Sequence, residues 1–94
     1  VRFAVSVDIE AVEFINTLND KSRQIIRSRL ESLTKDPFPG KGGDKELLKL
    51  RRGTRIYRLH IGRTFTAFYT IEGNSVFVTE VMTIGQAHKK YKSI

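Results

Sequence analysis

The sequence predicts an α+β domain, a helical hairpin packed on a mostly antiparallel sheet, in the order β-α-α-β-β-β-β with a short C-terminal tail. Three observations carry that prediction. Period-two alternation opens the chain, apolar residues then recur at helical spacing through two consecutive segments, and the second half is a run of strands joined by glycine-bearing hairpin turns. Ninety-four residues make one domain, 1–94, with a single modest core.

The first strand is read over residues 2–7, where Phe3, Val5 and Val7 alternate with Arg2, Ala4 and Ser6. Asp8 follows as a natural N-cap, and Glu10 lies in the first turn, where the helix dipole favours an anion. Val12, Ile15 and Leu18 mark the inner face of the first helix. Asn19 and Asp20 end it, and Asp20 is expected to cap a second helix over Lys21 to Lys35, whose stripe is Ile26, Leu30 and Leu33. A tight link between two helices makes an αα-hairpin. Residues 35–45, KDPFPGKGGDK, form a breaker-rich loop. Its glycines fit neither a P-loop nor a dinucleotide fingerprint, so it is a connection. Strands are expected at Glu46–Arg51, Arg55–Ile61, Thr64–Ile71 and Ser75–Ile84, joined by Gly53-Thr54, Gly62-Arg63 and Glu72-Gly73-Asn74. After Gly85 a basic tail, QAHKKYKSI, predicts a short helical turn or an ordered extension.

Composition narrows the chemistry. There is no cysteine, which removes disulfides, thiolate metal sites and cysteine nucleophiles. No apolar run approaches the length of a membrane span and the N-terminus lacks a signal-peptide pattern, so no membrane partner and a cytoplasmic location are expected. The net charge of +7 is uneven. Residues 1–46 hold eight Lys or Arg against eight Asp or Glu, whereas residues 47–94 hold nine against Glu72 and Glu80 alone. An excess confined to one half points to an anionic partner, a nucleic acid or an acidic protein.

That excess falls on strands. From Leu47 to Ile71 there are six cations, Lys49, Arg51, Arg52, Arg55, Arg58 and Arg63, and no acid. Alternation puts Ile56, Arg58 and His60 on one face and Tyr57, Leu59 and Ile61 on the other, with a guanidinium and an imidazole about 6–7 Å apart on the open face. Phe68, one strand on, is expected on that open face, stacking a base while arginines hold phosphates. In the tail, His88 and Tyr91 are three apart, side by side on a helical turn, among Lys89, Lys90 and Lys92. A histidine exchanges protons near neutral pH, and a tyrosine donates one or stacks. Two histidines without a spaced carboxylate or cysteine do not complete a metal site, so neither metal nor cofactor is expected.

The stretch KLRRGTRIYRLHIGRTFTAFYTIEGNSVFVTEVMTIGQAHKKY resembles the sheet and tail of the RelE/ParE toxin superfamily. That family shows a KL-x-G turn leading into a Y-K/R-x-K/R strand, a G-x-x-x-R-x-x-Y strand, and an ending I-G-H-R-x-x-x-Y. The resemblance covers nearly the whole chain. It implies a toxin of a type II toxin–antitoxin module, a RelE-like ribosome-dependent endoribonuclease that cuts mRNA by metal-independent attack of the 2′-hydroxyl. The implied partners are a cognate RelB-like antitoxin, the ribosome and mRNA. Arg58 matches the first basic residue of the strand element, His60 takes the place of the second, and Tyr91 matches the terminal tyrosine. Thr66 stands where the family usually has the strand arginine, Arg63 lies three residues earlier, and Gln86-Ala87 replace a His-Arg pair just before His88. The expected catalytic set is Arg58, His60, His88 and Tyr91. The expected RNA-binding set is Lys49, Arg51, Arg52, Arg55, Arg63, Phe68, Lys89, Lys90 and Lys92. Two alternatives stand beside it: a ParE-like inhibitor of DNA gyrase, supported by the thinned set at Thr66 and Ala87, and a non-catalytic RNA-binding module, supported by the basic face alone.

Overall fold

The structure, a computed structural model, describes residues 2–48, the backbone of Lys49, Gly53 and residues 55–91. Its elements are β1 (Ala4–Val7), α1 (Ile9–Asn16), α2 (Asp20–Ser32), β2 (Lys45–Lys49), β3 (Arg55–Ile61), β4 (Phe65–Glu72), β5 (Ser75–Thr83) and α3 (Ile84–Lys90). The α+β class and the order of elements are those the sequence predicts, and the tail is a helix of two turns.

Local chemistry sets the boundaries. Asp8 caps α1 by accepting from the Glu10 N–H at 3.0 Å. The cap of α2 is Asn19, which accepts from the Ser22 N–H at 2.8 Å, and Asp20 sits inside the first turn. The expectation that Asp20 would cap is corrected here, because the side-chain amide oxygen one residue earlier reaches the free N–H. Thr83 and Gln86 form a reciprocal capping box that starts α3 directly from the end of β5. Gly62 and Gly73 take φ of 59° and 58° in the β3–β4 and β4–β5 turns, the left-handed conformation these tight hairpins demand.

The sheet order is β1-β5-β4-β3-β2. Strands β2 to β5 are antiparallel neighbours, and β1 lies parallel to β5, with Ala4 beside Ser75 and Val7 beside Val78. The αα-hairpin covers one face. There Ile26, Leu30 and Leu33 pack on Leu59, Ile61, Ala67, Tyr69, Val76 and Val78, and each Ile, Leu or Val among them contributes about 1.5–3 kcal/mol on burial. The polar group deep in that core is satisfied, since the Tyr69 hydroxyl donates to the Pro37 carbonyl at 2.6 Å. Burial, with Tyr57 stacked 5.4 Å away, pushes the Tyr69 phenol well above its usual range. That bond, with the Arg29–Asp44 ion pair, ties the 36–44 connection to the domain.

Helix α3 folds back onto the opposite face. Ala87 packs with Leu48, Phe68 and Met82 in a second, smaller cluster, joined by Ile56 and Tyr91. No helix among the described residues is long and apolar enough to cross a membrane.

Candidate active site

The registers of four strands align one transverse row on the α3 face. Glu46 of β2 is opposite Arg58 of β3, Arg58 is opposite Phe68 of β4, and Phe68 is opposite Glu80 of β5. With neighbouring strands about 4.8 Å apart, the row places a carboxylate, a guanidinium, a phenyl ring and a second carboxylate side by side. His60 lies two residues along from Arg58, on the same face.

Glu46 gathers the first half of the row. Nη2 of Arg58 donates to both of its carboxylate oxygens at 3.0 Å, and His60 Nε2 lies 2.8 Å from its Oε1. The hydrogen bond from His60, then that from Arg58, hold the Glu46 carboxyl below its ordinary range, against burial acting the other way. An ionised carboxylate only accepts, so Nε2 of His60 carries the hydrogen and Nδ1 is the nitrogen left for another partner. The Arg58 side chain is 14% exposed, and its Nε–H is buried with no hydrogen-bond partner among the described residues. The Glu46 side chain, 43% exposed, is the solvent-facing member of the trio.

Glu80 gathers the second half. It accepts from the Tyr91 hydroxyl and from Lys90 Nζ, both delivered by the end of α3. The Tyr91 ring lies 4.8 Å from the Phe68 ring. Burial, with the hydrogen bond to Glu80 and its charge, pushes the Tyr91 phenol up to about 12, so it keeps its proton at neutral pH.

The expected site residues thus separate. Arg58 and His60 meet at Glu46. Tyr91 sits beyond Phe68 at the other end of the row. His88 is exposed on α3, and Tyr91 has left the helical conformation, with φ of −121° and ψ of 68°. Arg55, Arg63 and Lys89 are exposed at the start of β3, in the β3–β4 turn and on α3. The β2 backbone includes position 49, while Arg51, Arg52 and Lys92, with the Gly53-Thr54 turn, fall outside the described residues in whole or part.

Two expectations are corrected. Phe68 does not lie on an open face to stack a base; it is 1% exposed, because α3 and Tyr91 cover it. Nor is the positive charge of the face unopposed, since Glu46 neutralises Arg58 from the neighbouring strand. Glu46 sits one residue before the acid-free stretch, and strand pairing brings it opposite Arg58. The alternation of β2 against β3 was the signal that could have found it. Thr66 and Ala87, at positions where the resemblance places arginines, are both buried.

No protein-family model matches this chain, and no curated protein matches it in sequence. Solved structures do match in fold. The RelE–RelB complex of Pyrococcus horikoshii aligns at a TM-score of 0.75 with 15% identity, covering 92% of this chain and 99% of that one. The toxin–antitoxin complex RelBE2 of Mycobacterium tuberculosis aligns at 0.72 with 16% identity, over 88% and 99%. The YoeB dimer of Staphylococcus aureus aligns at 0.67 with 22% identity, over 87% and 97%. Helical hairpin, five-stranded sheet and C-terminal helix together are therefore the fold of the RelE-like toxins.

Proposed function

We propose that this chain is the toxin of a type II toxin–antitoxin pair and cuts mRNA on the ribosome, using the row between Glu46 and Glu80. The observation that carries the reading is the joining of Arg58 and His60 through one carboxylate, on the face that also presents Tyr91 and Lys90. The RNA 2′-hydroxyl attacks its neighbouring phosphorus, a route closed to DNA. A new bond forms from O2′ to phosphorus and the bond to O5′ breaks, leaving a 2′,3′-cyclic phosphate and a 5′-hydroxyl. His60, oriented by Glu46, takes the proton from O2′. Arg58 turns its unused donors to the phosphate and stabilises the extra charge of the transition state. Tyr91, protonated at neutral pH, supplies or steers the proton that O5′ gains, and exposed His88 adds a second imidazole on the same helix. Arg55, Arg63 and Lys89 hold the backbone of the message.

Arg58 is engaged by Glu46 in the free protein, so RNA must compete for it. That favours cleavage only where the ribosome holds the message in place. The partners on this reading are the ribosome, mRNA and a RelB-like antitoxin, all in the cytoplasm. The test is primer extension on a translated message in an active extract. Sharp cuts within codons, absent without ribosomes, support the reading; an uncut message under full translation overturns it. A second reading rests on the burial of Thr66 and Ala87, which leaves those positions without a cation for RNA. It is a ParE-like block of DNA gyrase, and loss of supercoiling activity over an intact message selects it.

A further inference from the structure

Helix α3 and Tyr91 cover Phe68 and Met82, while Phe77, on the same face of the sheet, is 43% exposed. Strand pairing fixes that placement. Phe77 is opposite Thr70 of β4, two residues along from Phe68, and beside Ser6 of β1. Phe77 and Glu80 are three apart, a spacing that regular alternation sends to opposite faces. A bulge at Thr79 brings both to the α3 face, since Phe68 is opposite Glu80 whereas Tyr69 is opposite Val78. The Thr79 hydroxyl donates to the Phe68 carbonyl at 3.2 Å and pins the extra residue. Phe77 is thus the diagonal neighbour of Phe68, about 7–8 Å away. It stands one side-chain spacing beyond the ring that Tyr91 covers.

The surroundings of the ring decide its occupant. Its neighbours across the strands, Ser6 and Thr70, are small, and exposed Ala4 and Ser75 follow on the same face. The apolar area is a single ring, well below the contiguous patch that a protein partner needs. A second copy of this chain, at +7, would be repelled. One flat ring bordered by hydroxyls matches one nucleobase. Charge sets the direction of the strand. Lys89 and Lys90 are carried by α3, and Glu72 lies at the far end of β4, so phosphates are drawn toward the row.

We propose that Phe77 is a stacking platform for a base of single-stranded RNA that flanks the cleaved phosphate, and that it gives the cut a preference for a purine there. The inference deepens the proposed function and rests on it for the cleavage step; the stacking itself needs only single-stranded RNA. The base lies on the phenyl face, and the hydroxyls of Ser6 and Thr70 meet its polar edge. A hydroxyl rotates to donate or accept, so these two serve any base and select none. Stacking area does select, and a purine offers more of it than a pyrimidine. The stacking role that the sequence suggests for Phe68 thus passes to the phenylalanine that the bulge leaves uncovered.

The test compares Phe77→Leu, which keeps an apolar strand residue but removes the ring, with Phe77→Trp, which enlarges the ring. Each acts on ribosome-bound messages that carry a purine or a pyrimidine on either side of the cut, read by primer extension. The parent favours purine at one flank. Phe77→Leu slows cutting at the favoured sites at least about fivefold, the loss of one stacked base, and erases the preference, whereas Phe77→Trp keeps both. A preference that survives Phe77→Leu, or a loss that is the same for every sequence, would overturn the proposal. A second measurement is independent of cleavage. The phenylalanine ring signals are followed by NMR while a short oligoadenylate is added, with an abasic oligomer of equal charge as control. The Phe77 signals, identified by their absence in Phe77→Leu, move with the oligoadenylate and not with the abasic oligomer; equal movement with both also overturns the proposal. If the parent leaves every message uncut yet its Phe77 signals move, the nuclease reading fails and the platform stands. Cutting without a flank preference and without movement of Phe77 gives the reverse.

Discussion

The two faces of the sheet are built differently. Under the αα-hairpin, twelve buried residues among those described form one apolar cluster whose deep hydroxyl, on Tyr69, is hydrogen-bonded. Under α3 there are four among the described residues, and on that face Glu46 and Glu80 each bind two partners. The α3 face leaves titratable groups half-exposed and paired to one another, the condition of a surface that can exchange its partners for a ligand. The larger buried cluster and the paired titratable groups thus lie on opposite sides of the same five strands.

Truncation on the hairpin face gives the largest expected effect. Leu59→Ala removes a fully buried side chain and should cost about 2–5 kcal/mol, read as a lower urea midpoint. A loss below about 1 kcal/mol would break the contrast between the faces. On the α3 face, Arg58→Ala should cut ribosome-dependent cleavage more than tenfold, about 1.4 kcal/mol of barrier, while the urea midpoint stays near that of the parent. An unchanged cleavage rate in the folded variant removes Arg58 from the site. Tyr69→Phe leaves the Pro37 carbonyl without its donor and should cost roughly 1 kcal/mol, with no change in cleavage.

The smallest effects lie in the pH dependence, and they separate the two halves of the row. Folding lowers the pKa of Glu46, so its contribution is present above the unfolded value near 4.5 and lost as pH falls through the lower folded one. Folding raises that of Tyr91 from 10 to about 12, so its contribution is present below 10 and lost as pH rises toward 12. Glu46→Gln should flatten the acid limb of the stability profile and Tyr91→Phe the alkaline limb, each leaving the other limb in place. Urea titrations across pH check both. Either substitution flattening both limbs would show that the two carboxylates act as one network.

The fold was legible because its signals are local. Asp8, the Val12–Ile15–Leu18 spacing and the glycine turns each act within a few residues, and they carry the element order almost unaided. The site was legible only along a strand. Alternation places Arg58 and His60 together, and both are found together. What alternation along one strand does not convey is the neighbour across the sheet. Glu46 meets Arg58 because the β2–β3 register pairs them, and Phe68 is covered because α3 turns back over β4 and β5. Register and the return of a helix are set by packing between distant segments. Counting charges within a window therefore mistook a neutralised arginine for an open one.

The parallel pairing of β1 with β5 has a consequence for how the molecule comes into being. Among the described elements β1 is made first, and its sheet partner β5 is the last of the five strands. Until β5 emerges, Val5 and Val7 have no strand on either side, and the hairpin helices lack Val76 and Val78 beneath them. The fold therefore closes late, through a contact of long sequence separation that makes folding slow for a domain of this size. A chain cut short before β5 leaves β1 without its sheet partner and lacks Glu80 and Tyr91.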